Sequence, residues 1–245
     1  MPKLKRLQDR YNTAEEKETY IENMFSSIDE NYDFLNRVMS LGLDMGWRRR
    51  AIKAGKFSNQ SAILDVATGT GDLLLSAQKA IPGVNIVGLD FCRPFLLKAK
   101  EKLDDKNGRH PVSFIEANGL KLPVKDETFD GVLTAFSLRN VASVDSLFSE
   151  FYRITKPGGK VVSLEMMKPN NSFQKLVFSI HFKRVVPALG NLLAKQAEAY
   201  NYLPLSIENF YTANELTTII SREGWRNVSY KNVMFGFVAI HVGEK

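Results

Sequence analysis

Cysteine is nearly absent from this chain. Cys92 is the only one, and a single thiol cannot close an intramolecular disulfide. Histidine is almost as scarce: His110, His181 and His241 stand far apart. They do not supply the clustered ligands that a zinc site needs, so no metal is expected. Long apolar runs are missing too. A membrane-spanning helix needs about 18 consecutive apolar residues, and no such stretch occurs. The first residues, MPKLKRLQDRYNTAEEKE, are charged and lack the apolar core of a signal peptide. These absences lead to the expectation of a cytoplasmic protein. Repeats and low-complexity tracts are also absent.

What is present is an ordinary globular composition. The chain has 245 residues, 44% of them hydrophobic and 24% charged, enough apolar material for one domain with an insertion or two small domains. The formal net charge is +6. A positive balance suits nucleic acid, an anionic membrane surface or no particular partner. The basic residues are spread out, apart from Arg48, Arg49 and Arg50. They form no aromatic-plus-arginine register of an RNA-reading motif, so no nucleic acid is expected.

Between about residues 60 and 165, strand and helix signals alternate. SAILDV, VNIVGLD, VSFIEA, FDGVLTAF and GKVVSLE are short runs rich in β-branched and apolar residues. Runs apolar on both faces belong to a parallel sheet covered by helices on both sides. The spacing predicts helices over Leu73–Ala80, Arg93–Leu103 and Val144–Thr155. This order predicts a doubly wound α/β fold with right-handed crossovers. The last part of the chain differs. ANELTTIISREGW reads as an amphipathic helix stopped at Gly224, and RNVSYKNVMFGFVAIHV as two strands joined by a turn near Met234–Gly236. A mostly parallel sheet ending in an antiparallel hairpin is expected. Residues 1–58 read as a helical segment before the first strand, and 166–211 as an insertion before the last helix.

ILDVATGTGDLLL is a strand, a glycine turn and a helix. Gly69 and Gly71 let the backbone approach a ligand closely. The NAD fingerprint asks for a third glycine or alanine three positions on, where this chain has Leu74. Asp65 and Asp72 flank the turn; two carboxylates repel a diphosphate but suit a cationic ligand. Asp90 ends the second strand about twenty residues beyond Gly69, where an acid accepts hydrogen bonds from ribose hydroxyls. Asn118 follows the third strand, placed for an adenine edge. Asp72 also reads as a helix N-terminal acid favoured by the dipole. An NAD(P)-dependent oxidoreductase is the rival reading, opposed by Leu74 and the C-terminal hairpin.

Several blocks together are more specific. YDFLNRVMSLGLDMGWRRR, LDVATGTGD, LPVKDETFDGVLTAFSLRNV, RITKPGG, LEMMKP, YNYLPLSIENF and GFVAIHVGEK resemble those of the ubiquinone/menaquinone biosynthesis C-methyltransferases over nearly the whole chain. The chain departs from the pattern at Asp44, where the family usually has histidine, and at Ser137, where it usually has glycine. Phe91, Cys92 and Arg93 also follow Asp90 in place of the family's polar residue and Asn or Glu.

The resemblance implies a class I, Rossmann-like methyltransferase fold with a seven-stranded sheet. Residues 59–245 would form the methyltransferase domain, 1–58 a helical lid and 166–211 a substrate cap. It implies S-adenosylmethionine (SAM) as methyl donor, held by Asp65, Gly69, Thr70, Gly71, Asp90, Phe91, Asn118, Gly119 and Ala135. The acceptor would be a polyprenylated quinol: demethylmenaquinol, or alternatively a 2-polyprenyl-6-methoxy-1,4-benzoquinol. Arg139 would stabilise a phenolate and Asn140 orient the ring hydroxyl. The competing role for Arg139 is an ion pair that only shapes its loop. Tyr32, Asn36 and Tyr202 would contact substrate, and His241 is a minor general-base option.

Phe173, Leu176, Val177 and Ile180 share one helical face, read either as a packed cap or as a channel for an isoprenoid tail beside a basic surface facing anionic lipid. Peripheral contact with the inner face of the cell membrane, and a homo-oligomer or a quinone-biosynthesis complex, are expected as partners. A non-catalytic SAM- and quinone-binding scaffold is the alternative of a different class.

Overall fold

The computed structural model describes residues 13–26, 33, 37, 40, 42–104, 112–185 and 198–245. Helix α1 (Ala14–Ser26) and helix α2 (Asp44–Gly55) precede the sheet. Then β1 (Ala62–Val66), α3 (Asp72–Ala80), β2 (Asn85–Asp90), α4 (Arg93–Asp104) and β3 (Ser113–Glu116) alternate. They are followed by β4 (Phe129–Ala135), α5 (Val144–Ile154) and β5 (Thr155–Met166). Helices α6 (Ser172–Ile180) and α7 (Glu198–Glu208) lie in the insertion, with a π-helical turn at His181–Val185. Helix α8 (Ala213–Arg222) and the strands β6 (Arg226–Val233) and β7 (Val238–Glu244) close the chain.

The strands form one sheet in the order β3-β2-β1-β4-β5-β7-β6. The first five are parallel to one another, β7 runs antiparallel to β5, and β6 antiparallel to β7. This is the mostly parallel seven-stranded sheet with a C-terminal hairpin that the pattern predicts. Strand β5 starts earlier than expected, at Thr155 rather than near Gly159. Its register against β4 jumps between Phe129 and Gly131, where Gly158 takes a φ of +76°.

The apolar runs are continuous because each strand feeds two cores. Ile63, Leu133, Val162 and Ile240 face one side with Trp47, Ile52 and Leu74. Their neighbours Leu64, Val132, Val161 and Ala239 face the other with Leu147, Phe148, Phe151 and Ile220. Successive side chains on a strand alternate faces, so a strand covered on both sides is apolar along most of its length. Two helices on the second face begin at side-chain caps. Ser143 Oγ accepts from Ser146 N at the start of α5, and Thr212 and Glu215 form a reciprocal capping box at α8. Helix α2 packs into the first core through Trp47, Ala51 and Ile52. Helix α1 instead meets α7, with Ile21 and Met24 against Tyr202 and Leu205.

Leu74 shows why the third glycine of a dinucleotide loop is dispensable here. It is fully buried and packs on Gly88 of β2, where a Cβ would lie 2.9 Å from Leu74 Cδ1 and 3.0 Å from the Phe114 ring. The close helix–sheet approach is obtained by a glycine on the strand instead of on the helix. Gly88→Ala is therefore expected to overpack this layer and cost about 1–3 kcal/mol. Leu74→Ala alone should cost about 2–5 kcal/mol. Urea unfolding of the double variant should show less than the sum; strict additivity would refute this packing account.

Candidate active site

A cavity of about 410 Å³ opens at the carboxyl ends of β1, β2 and β4, where the strand order reverses between β1 and β4. Open α/β sheets bind ligands at such a switch point. Ala67, after β1, and Phe136, after β4, both line it and both hold positive φ, +56° and +60°. A left-handed non-glycine residue costs about 1–3 kcal/mol and collects at functional sites.

The glycine turn is tied down from two sides. Gly69 N donates to Asp90 Oδ2 (2.8 Å) and Cys92 N to Asp90 Oδ1 (2.9 Å). Both Asp90 oxygens are thus tied to backbone N–H groups. Burial pushes the Asp90 carboxyl up, against the opposing pull of the backbone bonds from Cys92, Gly69 and Phe91. Asp65 accepts from Thr68 Oγ1 at 2.7 Å through Oδ2. Its Oδ1 is buried without a partner among the described residues. Burial raises the Asp65 carboxyl to about 7, assisted by Asp90 and opposed by Thr68, Arg48 and the Leu74 backbone N–H. A buried oxygen short of a donor inside a cavity fits a cationic group.

Asp72 also lines the cavity, and it is ion-paired within the protein. Lys102 Nζ donates to its Oδ1 and Arg37 Nη2 to its Oδ2, each at 3.1 Å. Burial opposes ionisation, but Lys102, Arg48 and Arg37 outweigh it and keep the carboxyl below the usual range. Lys102 Nζ also reaches Asp33 Oδ2 (2.6 Å), whose Oδ1 accepts from Thr70 Oγ1 (2.7 Å). The N-terminal segment is latched to the glycine turn through this network.

Of the residues singled out by sequence, Asp65, Gly69, Thr70, Asp90, Phe91, Asn118, Gly119, Ala135, Arg139, Asn140 and Tyr202 all line this one cavity. Gly71 does not. It begins α3 at φ +82°, with the α4 residue Ala99 close enough to meet an added Cβ at 3.1 Å. Tyr32 and Asn36 lie outside the described residues. Asn118 is exposed at the rim, where its Oδ1 accepts from Leu120 N and its Nδ2 donates to Glu18 of α1. Asn140 Oδ1 accepts from Tyr202 Oη at 3.2 Å, which joins the β4 loop to the insertion.

Arg139 is committed to the protein. Its Nε donates to Glu165 Oε1 (2.8 Å), Nη1 to Ser206 Oγ (2.8 Å) and Nη2 to Phe136 O (3.4 Å). Both members of the ion pair are buried. The competing role weighed for it, an ion pair that shapes the loop, is the geometry found, with the carboxylate on β5 instead of a loop. His241 is fully buried outside the cavity, with Nε2 donating to Ala213 O (2.9 Å). Burial lowers its pKa to about 4, against the bond to Ala213, so the general-base option has neither position nor proton affinity behind it.

One residue that sequence reasoning passed over is Arg48. It lines the cavity and its guanidinium lies 5.2 Å from the centre of the Phe136 ring. Its Nη1 is held by Asp44 Oδ2 at 2.7 Å, while its Nε is buried without a partner among the described residues. Asp44 is also buried and accepts from Ser40 Oγ at 3.1 Å. The i, i+4 spacing of Asp44 and Arg48 on α2 was visible in the sequence, but which way that helix faces was not. Ser137 bonds Thr134 (2.6 Å); the positive φ in this loop falls on Phe136, so nothing requires glycine at 137. Among the described residues no three His, Cys, Asp or Glu side chains gather as a metal site would need.

The family model described as the ubiE/COQ5 methyltransferase family matches residues 13–245. The chain is 41% identical over 222 residues to a protein of Thermus thermophilus named demethylmenaquinone methyltransferase, covering 91% of this chain and 100% of the relative. It is 38% identical over 231 residues to a Geobacter sulfurreducens protein named ubiquinone/menaquinone biosynthesis C-methyltransferase UbiE, covering 94% and 90%. Among solved structures, a SAM-dependent methyltransferase from Aquifex aeolicus superposes with a TM-score of 0.59 at 18% identity, covering 93% of this chain and 97% of that one. At this identity the likeness concerns the fold: that of the SAM-dependent methyltransferases.

Replacing Arg139 by Met would leave the Glu165 charge buried and uncompensated, with an expected loss of about 3–5 kcal/mol in urea unfolding. Arg139→Met with Glu165→Leu should recover much of that. A single variant as stable as the parent would show that the pair is not buried as described. Asp65 has the opposite sign. Its folded pKa lies above the unfolded value, so the ligand-free protein should lose stability from this group as pH rises from about 4 to about 7. Asp65→Asn should flatten that slope.

Proposed function

The chain belongs to the ubiE/COQ5 methyltransferase family, and on that footing we propose that it methylates a ring carbon of demethylmenaquinol. Its relatives make it a SAM-dependent C-methyltransferase of menaquinone/ubiquinone biosynthesis. The menaquinone precursor is preferred because the Thermus, Roseiflexus and Deinococcus relatives are named for it. A benzoquinol of the ubiquinone pathway is the second acceptor, in keeping with the double name of the Geobacter relative.

One observation carries the mechanistic reading. The same cavity holds a buried carboxylate oxygen short of a donor, on Asp65, and a buried guanidinium N–H short of an acceptor, on Arg48. Methyl transfer to a phenolate needs this pairing: an anionic side for a cationic donor and a cationic side for an anionic acceptor.

When bound, SAM supplies a methyl carbon made electrophilic by the adjacent sulfonium. Asp65 would hold the donor's positive charge, Asp90 its ribose hydroxyls, and Phe91 and Asn118 its adenine. On the acceptor side Arg48 would favour the ionised phenol, which raises the electron density of the ring carbon; as that carbon bonds the methyl, the sulfonium–methyl bond breaks to leave S-adenosylhomocysteine, and loss of the ring C–H proton restores the aromatic quinol. Asp44, which lines the cavity bonded to Arg48, is our candidate to accept the phenol proton. Asn140 and Tyr202, bonded to each other, orient the ring hydroxyl. Arg139 acts at one remove, as the positioning residue of their loop. Helix α1 and the 166–211 insertion, which meet at Tyr202, act as lid and cap that keep water from the reacting atoms.

No helix among the described residues is long and apolar enough to cross a membrane. A polyprenyl tail keeps its quinol in the bilayer, so we place the enzyme as a peripheral protein at the inner face of the cell membrane.

Arg48→Met is expected to lower turnover of a short-tailed demethylmenaquinol about 10²–10³-fold, with SAM affinity kept within a few-fold and Arg48→Lys partly restoring the rate. Mass-spectrometric product detection checks this, and an unchanged rate would remove Arg48 from the mechanism. The same assay offering both quinol classes tests the acceptor; preference for the benzoquinol would reverse the assignment. Because a cation must bind beside ionised Asp65, calorimetric SAM affinity should fall about tenfold per pH unit below about 7. In Asp65→Asn that dependence should disappear.

A further inference from the structure

Helix α6 is built inside out. Its polar Gln174 is buried, whereas Phe173, Leu176 and Ile180 are 58%, 60% and 52% exposed. Beside it, the turn between β6 and β7 presents Phe235, 80% exposed, with the two rings 6.2 Å apart. Single exposed apolar residues are ordinary, but a cluster of four large ones marks a contact surface.

The exposure of Phe235 is maintained against local preference. Met234 and Phe235 both sit at positive φ, +47° and +56°, where a bulky side chain is strained. The turn is pinned by Gln174, whose Nε2 donates to Phe235 O (2.9 Å) while its Oε1 accepts from Asn170 N (2.9 Å). Gly236, at φ +87°, leaves room for that amide: a Cβ there would lie 2.5 Å from Gln174 Nε2. A buried polar side chain and a strained backbone thus hold an aromatic ring out in solvent.

The segment that carries the patch is basic. Between Glu165 and Glu198 the sequence has no acidic residue, while Lys168, Lys175 and Arg184 are exposed there. The β6–β7 hairpin adds Arg226 and Lys231, with no acid between Glu223 and Glu244. Lys168 and Lys175 also border a second cavity, of about 300 Å³, together with Pro169, Phe178, Ser179 and Glu208. Behind the patch, aromatic rings lead inward. Phe178 stacks on Phe182 at 5.2 Å, Phe237 lies 5.9 Å from Phe182, and Phe182 lines the large cavity.

We infer that Phe173, Leu176, Ile180 and Phe235 form the face by which this protein docks onto an anionic lipid bilayer. Apolar side chains enter the interfacial region, and the surrounding lysines and arginines meet anionic headgroups. The docking face does not depend on the quinol reading of the cavity.

The test is co-sedimentation of the full chain with phosphatidylcholine vesicles, with and without phosphatidylglycerol, and without any quinol. The protein should bind the anionic vesicles and lose that binding at high salt. Phe235→Ala with Leu176→Ala should weaken binding at least about tenfold. Lys168→Ala with Lys175→Ala should weaken it about fivefold per lysine, on anionic vesicles only. All four positions are on the surface, so melting temperatures should be unchanged, and so should turnover of a short-tailed quinol in solution. Turnover of a long-tailed quinol in vesicles should fall with binding. A wild-type protein that ignores both kinds of vesicle, an apolar variant that binds as well as wild type, or a variant that instead breaks up an oligomer would each overturn the docking face. If vesicle binding behaves as expected but short-tailed quinol is not methylated, the failure belongs to the methyltransferase reading alone.

Discussion

The buried ion pair between Arg139 and Glu165 is the constraint on which the cavity wall after β4 depends. Glu165 is wholly buried in β5 and collects Leu138 N, Arg139 Nε and Met166 N at 2.7–2.8 Å. Through Nη1, Arg139 then reaches Ser206 on α7. Strand β5 and the loop after β4 meet at one carboxylate, and the insertion joins them through Arg139. Such a pair gains little over an apolar replacement, but its geometry is exacting because a half-broken pair strands a charge. Ser137, Asn140 and Tyr202 are where they are because that loop cannot relax independently of β5.

The cavity itself is divided by charge. Asp65 and Asp90 occupy the β1–β2 side, and Arg48 the side formed by α2 and Phe136. Asp72, which the sequence places next to the anionic side, lines the same cavity but is ion-paired to Lys102 and Arg37. Lys102 also holds Asp33 and Thr70, so one ammonium ties the N-terminal segment, the glycine turn and Asp72 together. Strain gathers at the same edge, on Ala67 and Phe136, at the ends of the two strands between which the sheet order reverses.

A comparable economy governs the far side of the molecule. The Gln174 side chain that fixes the β6–β7 turn is buried at the expense of Phe173 and Leu176, which are turned outward. Burying a primary amide is tolerable only when its hydrogen-bonding groups are met, and Asn170 N and Phe235 O meet both ends. The apolar surface is thus coupled to the same insertion that supplies Tyr202 and Phe182 to the cavity.

Much of the fold was legible from the chain alone. Strand runs, helix spans, the stop at Gly224 and the turn at Met234–Gly236 depend on periodicity and on residues a few positions apart, which are read directly. The glycine turn, Asp90 and the Leu-Arg-Asn block were legible as one site because they end neighbouring strands of a sheet whose order the pattern implies. Leu74 pointed away from a dinucleotide, although its partner Gly88 could be named only once helix and strand were seen in contact. Roles that depend on distant partners were decided by the tertiary structure. Arg139 finds its acceptors 26 and 67 residues away, His241 is sealed beneath Ala213 at a distance of 28, and Asp72 is neutralised from 30 and 35. The sequence by itself determined which side chains stand at the carboxyl edge of the sheet, because strand order and alternation are local in origin. Which of those side chains keep a free donor or acceptor for a ligand was decided only by packing, because a hydrogen-bonding group is available only when nothing folded against it has already taken it.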